Sequence, residues 1–273
     1  MELNENRETL RKAGLGLAAI SYDNVAVLAN FAKRKGIQYP LLSDPESKII
    51  RDFGILNESV AKDLPVYGIP YPVTYIVDAK GVVVSRKFDE DYKQRYTVAN
   101  ILTEKLDLRT GAAQSQVETK HLKVTASASD AKIRPGERIR LILDVELKPG
   151  MHAYAPGVEG YIPVDWKMAD SPAVQAAPAI YPASKKLRLE AIQETVDVYA
   201  GRFTVQREAI AGAQGKMDRG AKEGLIVIEG TFRYQACDDR MCYLPQNVPL
   251  KWTFQYEPHD PTRVPPELRR GVK

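Results

Sequence analysis

The spacing of hydrophobic residues changes near residue 119 and divides the chain into two parts. In residues 1–108, short continuous apolar runs alternate with segments in which apolar residues recur every three to four positions. Continuous runs are typical of buried strands, and the longer spacing is typical of amphipathic helices. We therefore predict an α/β domain over residues 1–108.

The elements of this first part can be placed from their end signals. Predicted strands lie at 15–21, 39–43, 73–77 and, after a turn at 78–81, at 82–86. One helix is predicted to run through Lys35, with Asp23 and Asn24 as candidate N-caps, and to stop at Gly36. A second helix is expected to open at Asp44 with Pro45 in its first position, and a third spans 91–107.

From residue 119 apolar and polar residues alternate. Every second residue is apolar within 138–147, the alternation recurs at 250–256, and a further long strand is predicted over 225–234. Because no convincing helix separates these strands, we predict an antiparallel β-sandwich over 119–258.

Two segments fall outside the predicted domains. Residues 109–118 are small and polar, which favours a linker. Residues 259–273 are rich in proline and charge, which favours a frayed tail.

Composition and charge exclude several function classes. The chain is 44% hydrophobic and 27% charged, which is ordinary for a globular protein. The net charge of +4 is spread without a long Lys/Arg run, so we expect no nucleic-acid partner. No segment approaches the ~18 apolar residues of a membrane-spanning helix. We expect no organic cofactor, because no glycine-rich phosphate loop follows a strand.

The chain contains two cysteines, Cys237 and Cys242, with four residues between them. A pair this close can form a short-loop disulfide or act as a dithiol, and a short loop stabilises a fold less than a long one. Spacing alone leaves a redox pair and a structural disulfide equally open. A zinc site is not expected, because it needs about four ligands and His121, His152 and His259 are scattered. For His152 a surface position is the default expectation.

The first part carries three connected motifs: Leu17-Ala-Ala-Ile-Ser-Tyr-Asp23, Gly36-Ile-Gln-Tyr-Pro-Leu-Leu-Ser-Asp44 and Tyr67-Gly-Ile-Pro-Tyr-Pro-Val-Thr-Tyr-Ile-Val-Asp78. Together they resemble the thioredoxin-fold domains of the peroxiredoxin (AhpC/TSA) or redoxin kind. The resemblance implies a cis-proline beside a redox site, before the strand at 73–77, and Pro72 is the candidate. The alternative is that Pro72 is an ordinary loop proline with a trans bond.

The resemblance does not extend to the catalytic cysteine. Enzymes of this kind carry it at the start of the first helix, and residues 1–108 hold no cysteine. Because a thiolate is the nucleophile of that chemistry, the domain as given is not expected to act as a peroxidase. We expect an incomplete thioredoxin-like fold whose first strand and cysteine lie upstream, or else a degenerate domain.

The second part carries Tyr234-Gln-Ala-Cys237, Cys242-Tyr-Leu-Pro245 and Val248-Pro-Leu-Lys-Trp252. These motifs resemble the N-terminal domain of the thiol:disulfide interchange protein DsbD. The resemblance implies an immunoglobulin-like sandwich whose cysteine pair passes electrons between other redox proteins. It also implies the periplasm or another extracytoplasmic compartment, although the polar N-terminus of the given chain is not a signal peptide.

The same resemblance implies roles for individual residues. Cys242 would form the mixed disulfide and Cys237 would resolve it. Tyr154, Arg240 and Tyr243 are expected to line the site, the alternative for Tyr154 being an ordinary half-buried sandwich tyrosine. Arg240 would favour a thiolate, and the aspartates beside it would oppose one. Residues 186–195 are the candidate for a cap over the cysteines.

The leading prediction is thiol–disulfide exchange, an electron relay performed by a thiol:disulfide oxidoreductase. Its expected partners are thioredoxin-like redox proteins or a membrane electron-transfer domain, with no cofactor besides the redox-active disulfide and no bound metal. One alternative is a non-catalytic binding or adaptor protein with a structural disulfide. The other is a fragment of a peroxiredoxin-type antioxidant protein.

Overall fold

The computed structural model describes residues 2–64, 67–88, 94–106, 113–189 and 193–259. The chain divides into two compact units, Met1–Ile101 and Leu102–Lys273. The helices are α1 (Glu2–Glu5), α2 (Arg7–Lys12), α3 (Val25–Lys35), α4 (Lys48–Asp52), α5 (Val98–Leu106) and α6 (Gln214–Gly220). The strands are β1 (Ala19–Ser21), β2 (Leu41–Ser43), β3 (Val73–Val77), β4 (Val83–Phe88), β5 (Arg95–Tyr96), β6 (Ala113–Glu118), β7 (Leu122–Ala128), β8 (Lys132–Ile133), β9 (Glu137–Leu147), β10 (His152–Tyr154), β11 (Asp165–Met168), β12 (Val174–Ala176), β13 (Lys185–Leu189), β14 (Glu194–Ala200), β15 (Arg202–Ala211), β16 (Leu225–Tyr234), β17 (Ala236–Cys237) and β18 (Gln246–Tyr256). Across the described ranges, each helix is too short or too polar to cross a membrane.

The first unit mixes helices with short strands, which confirms its α/β character. Strand β1 pairs in parallel with β2, and β3 pairs antiparallel with β4. Helix α3 begins as predicted, because the Asn24 side chain accepts the Val27 N–H at 2.9 Å. It ends at Gly36, whose φ of 61° is in the left-handed region that glycine tolerates best.

The helix predicted to open at Asp44 and Pro45 begins later, at Lys48. Asp44 is buried, and its two carboxylate oxygens accept the N–H groups of Lys48 and Ile50, each at 2.9 Å. The Asp44 carboxylate, four residues before the start of the helix, therefore provides hydrogen-bond acceptors for N–H groups of its first turn. Helix α5 is likewise shorter than predicted, because β5 precedes it.

Pro72 lies immediately before β3, and the peptide bond that precedes it is trans. The expectation of a cis-proline was therefore wrong. Trans is the usual form, which X–Pro bonds favour by about 0.5–1 kcal/mol.

The second unit is a β-sandwich. One sheet has the strand order β12-β15-β9-β7-β6, and the other has the order β11-β16-β18-β8. Neighbouring strands in these two sheets run antiparallel, apart from the parallel pair of β8 and β18. Alternate residues of β9 and β18 face one shared apolar core, in which the rings of Trp166 and Trp252 stack 5.6 Å apart.

Strand β6 occupies part of the segment predicted as a linker. Ala113–Glu118 pair antiparallel with β7, while residues 109–112 lie outside the described residues. The small polar side chains that favoured a linker here form an edge strand of the first sheet. The division into domains stays a prediction.

A third sheet, with the order β13-β14-β10-β17, carries the two cysteines at its edge. Its own apolar cluster contains Tyr154, Val196, Val198 and Cys237. Because side chains alternate across a strand, Ala153 of β10 faces the main sandwich core, while His152 and Tyr154 point to the opposite face.

Candidate functional site

Cys237 and Cys242 form a disulfide that closes a short loop after β17. Their Cα atoms are 4.0 Å apart, and the two residues form an isolated antiparallel bridge. Cys237 is 1% exposed within the apolar cluster of the third sheet, whereas Cys242 is exposed. The two ends of one disulfide therefore differ in their access to solvent.

Asp238 organises the loop between the cysteines. Its Oδ1 accepts the backbone N–H groups of Arg240 and Met241, each at 2.8 Å, and its Oδ2 accepts the Tyr243 hydroxyl at 2.7 Å. These bonds, of which the one from Tyr243 has the largest effect, lower the pKa of Asp238 to about 2. The carboxylate is therefore charged at neutral pH and holds both ends of the loop.

Tyr243 fixes the loop from the other side. Its ring stacks on His121 at 4.4 Å, and Lys120 Nζ lies 5.5 Å from the ring centroid. Its backbone N–H donates to the Ala236 carbonyl at 2.8 Å, and its carbonyl accepts the Gln235 amide at 2.9 Å. The structure thus places Tyr243 as a support for the loop, immediately after Cys242.

Tyr154 is brought directly to the disulfide. Its hydroxyl oxygen lies 3.7 Å from Cys242 Sγ, and its ring stacks on Tyr161 at 4.2 Å. Burial, and to a lesser degree the Glu194 carboxylate, raises the pKa of the Tyr154 hydroxyl. The group therefore keeps its proton at neutral pH and can donate a hydrogen bond to sulfur.

His152 is not on the surface, so the expectation for this residue was wrong. It is 7% exposed and lies opposite Cys237 in the register of β10 and β17. Its ring meets that of Tyr154 edge-on at 5.8 Å. The signal that could have found it is the two-residue spacing from Tyr154, which puts both side chains on one face of a strand.

Arg240 and Pro72 were also predicted to line a redox site. Arg240 is exposed in the loop and bonds Asp238 through its backbone N–H. Pro72 lies in the first unit, before β3. Their parts in the chemistry stay predictions.

The candidate cap at 186–195 is mostly strand. It runs along β13 into β14, with residues 190–192 outside the described residues. Leu187 and Leu189 of β13 pack against the cluster that contains Tyr154 and Cys237. The segment is therefore part of the sheet that carries Cys237, and its role as a cap stays a prediction.

Two family models match the chain. Residues 1–86 match the AhpC/TSA family, and residues 119–251 match the family described as "Thiol:disulfide interchange protein DsbD, N-terminal". Both resemblances predicted from the sequence motifs are thereby confirmed.

Curated relatives match over a limited length. Peroxiredoxin Bcp of Escherichia coli (strain K12) is 30% identical over 81 residues, which cover 30% of this chain and 51% of the relative. Chloroplastic peroxiredoxin Q of Triticum aestivum is 32% identical over 80 residues, which cover 29% of this chain and 34% of the relative. The chain thus spans about half the length of the first relative, and less of the second.

Two N-terminal domains are among the solved structures that match part of the chain. The match to the N-terminal periplasmic domain of ScsB from Proteus mirabilis has a TM-score of 0.37 and 15% identity, and it covers 54% of this chain and 52% of that one. The reduced DsbD N-terminal domain of Neisseria meningitidis has a TM-score of 0.27 and 12% identity, covering 42% of this chain and 82% of that one.

Proposed function

We propose that this chain performs thiol–disulfide exchange through Cys237 and Cys242, as the electron-relay unit of a thiol:disulfide oxidoreductase. The unequal exposure of the two cysteines is the observation that carries the proposal. A structural disulfide gains nothing from an accessible sulfur, whereas exchange requires one sulfur to be open to attack.

The exchange follows from this asymmetry. A partner thiolate attacks Cys242 Sγ, the bond between the two sulfurs breaks, and Cys237 leaves with the electron pair as a thiolate. A second partner thiol, as its thiolate, then attacks the partner sulfur of the mixed disulfide and releases the Cys242 thiolate. The pair has gained two electrons, and the partner has become a disulfide. The Tyr154 hydroxyl, 3.7 Å from Cys242 Sγ, is placed to donate to that sulfur as charge develops on it.

The match to the DsbD N-terminal family model supports the wider setting. We infer that the sandwich is immunoglobulin-like and that its partners are thioredoxin-like redox proteins or a membrane electron-transfer domain. We infer a periplasmic or other extracytoplasmic location from the same match, since disulfides form and persist in oxidising compartments. Arg240 remains a proposed lining residue of this pair, and Pro72 remains a proposed residue of the redox site that the AhpC/TSA resemblance implies within the first unit.

The reduction potential of the pair tests the proposal. The full chain is equilibrated with glutathione or dithiothreitol buffers, and free thiols are trapped and counted. A potential between about −120 and −270 mV, the range of exchange proteins, supports the relay. A potential well below about −300 mV means that the bond is structural. The Cys237→Ser/Cys242→Ser double variant is the control for thiol counting.

A second candidate function is binding without exchange. Met241 is 56% exposed and Leu244 is 85% exposed, on either side of Cys242 and Tyr243. Exposed apolar side chains beside a rigid loop also suit a docking surface for another protein. A structural potential together with retained partner binding would favour this reading.

A further inference from the structure

His152 and Cys237 lie side by side on the third sheet. They are directly opposite each other in the antiparallel pair of β10 and β17. Opposite residues in such a pair project from the same face, with Cβ atoms about 4.5–5.5 Å apart. Both side chains are buried, and the strand register places the titratable imidazole opposite this cysteine.

The imidazole has spare hydrogen-bonding capacity. Its Nε2 is buried and has no hydrogen-bond partner among the described residues. A buried polar atom without a hydrogen-bond partner needs an explanation. One explanation is that it forms a hydrogen bond in another state of the protein. In the oxidised state Cys237 offers a disulfide sulfur, which is a weak acceptor, whereas in the reduced state it offers a thiol or thiolate.

The surroundings of His152 set its charge. Burial is the main influence and lowers its pKa, while the carboxylates of Asp238 and Asp239 in the cysteine loop act in the opposite direction. On β10 itself, the ring of the neutral Tyr154 meets the imidazole edge-on. On β14, the residue paired with His152 is Ala200, which carries no charge. The lowered pKa keeps the ring neutral at neutral pH, and a new negative charge beside it would favour its protonation.

We propose that His152 is the proton partner of Cys237 during exchange, an inference that rests on the function proposed above. When the disulfide opens, Cys237 leaves as a thiolate. His152 takes up a proton from solvent and then donates it to that sulfur or shares it with that sulfur. In the reverse direction the Cys237 thiol gives its proton to His152 as its sulfur attacks Cys242 Sγ. The partner sulfur then departs as a thiolate with the electron pair of the mixed disulfide.

The test is an NMR titration of the histidine rings in the oxidised and the reduced full chain. The pKa of His152 is expected to rise by about one pH unit or more on reduction, because a thiolate replaces a neutral sulfur beside it. The exposed His259 is the internal control, and its ring signals are expected to be the same in the oxidised and reduced states. An unchanged His152 pKa would overturn the proposal.

A variant separates proton transfer from packing. His152→Gln keeps a polar side chain of similar length but does not titrate, and His259→Gln is the matched control. In the Cys242→Ser background, His152→Gln is expected to raise the pKa of Cys237 by about one pH unit, read from thiolate absorbance. A Cys237 titration unaffected by His152→Gln, in a variant that unfolds like its parent, would count against the proton partnership.

The two proposals fail separately. Exchange with dithiothreitol is measured on the same samples. If the wild-type pair does not exchange with dithiothreitol but the His152 pKa still rises when a phosphine reduces the pair, the exchange function falls, and only the electrostatic coupling between His152 and Cys237 stands. If the pair exchanges and the His152 pKa is constant, the proton partnership falls alone.

Discussion

The hydroxyl oxygen of Tyr154 lies 3.7 Å from the sulfur of Cys242, on the side of the disulfide that is open to solvent. Tyr154 is itself 2% exposed and stacked on Tyr161, so its position is set by packing. A donor held in this way needs no reorganisation when charge appears on the sulfur.

Tyr154→Phe is expected to slow exchange with a small dithiol about two- to tenfold. This corresponds to the ~0.5–1.5 kcal/mol of one hydrogen bond, because the ring and its packing remain. Stopped-flow reduction by dithiothreitol measures the effect. Tyr161→Phe is the matched control, since it removes a hydroxyl that is bonded to Glu194. Equal rates in Tyr154→Phe and wild type would remove Tyr154 from the mechanism.

Single-cysteine variants are expected to differ in reactivity. In Cys237→Ser the remaining Cys242 thiol is exposed and should react with a thiol reagent on the order of tenfold or more faster than the buried Cys237 of Cys242→Ser. The rates are read with an aromatic disulfide reagent at a fixed pH, and unfolded protein sets the upper limit. If Cys237 reacted faster, the assignment of the attacked sulfur would be reversed.

The loop is expected to loosen in acid. The bonds to Asp238 hold its pKa at about 2, below the usual 3.8. Because the folded value is the lower one, their contribution is complete above about pH 3.8 and is lost as the pH falls towards 2. Reduction of the disulfide by a phosphine, which remains active in acid, should therefore accelerate over this interval.

Two variants test whether the hydrogen bonds to Asp238 cause this change in acid. Asp238→Asn removes the titration and should abolish the acid step, with faster reduction already at pH 7. Tyr243→Phe removes only the 2.7 Å bond to Asp238 Oδ2 and should shift the step to higher pH, because that bond contributes most to the lowered pKa. An acid step that persists in Asp238→Asn would assign it to another group.

Local sequence patterns were sufficient to predict much of the fold. The long strand predicted over 225–234 is β16 at its observed bounds, and Asn24 with Gly36 marked both ends of α3. These signals depend on residues close in sequence, where backbone geometry decides the outcome. Asp44 shows the limit, because a carboxylate that caps a helix from four residues upstream displaces the start expected at Pro45.

The two cysteines of the site could be predicted from the sequence, but the contacts of the residues that surround them could not. The cysteine pair follows from its spacing, and Tyr154 was implied by the family resemblance. The burial of His152 depends on the pairing of β10 with β17, across more than eighty residues of chain. The stacking of Tyr243 on His121 depends on a similar long-range contact. Residue spacing shows which side chains share one face of a strand, but it does not show which strands pair with each other.

The stability of the sandwich is expected to reside in its core more than in the disulfide. For a loop as short as Cys237–Cys242, the chain-entropy model gives roughly 2 kcal/mol, so the reduced protein should remain folded. Trp252→Ala should cost about 3–5 kcal/mol, because Trp252 is fully buried against Trp166 and donates to the Ser127 carbonyl at 2.8 Å.

Urea unfolding monitored by tryptophan fluorescence measures both effects. The two tryptophans, Trp166 and Trp252, lie in the second unit, so the signal reports that unit. Val227→Ala, on an exposed position of β16, is the control and should change the free energy of unfolding by less than about 0.5 kcal/mol. Reduction that unfolded the sandwich outright would mean that the disulfide is a structural staple, and the exchange function would lose its basis. A folded reduced state instead leaves the pair free to cycle between its two oxidation states, as a relay requires.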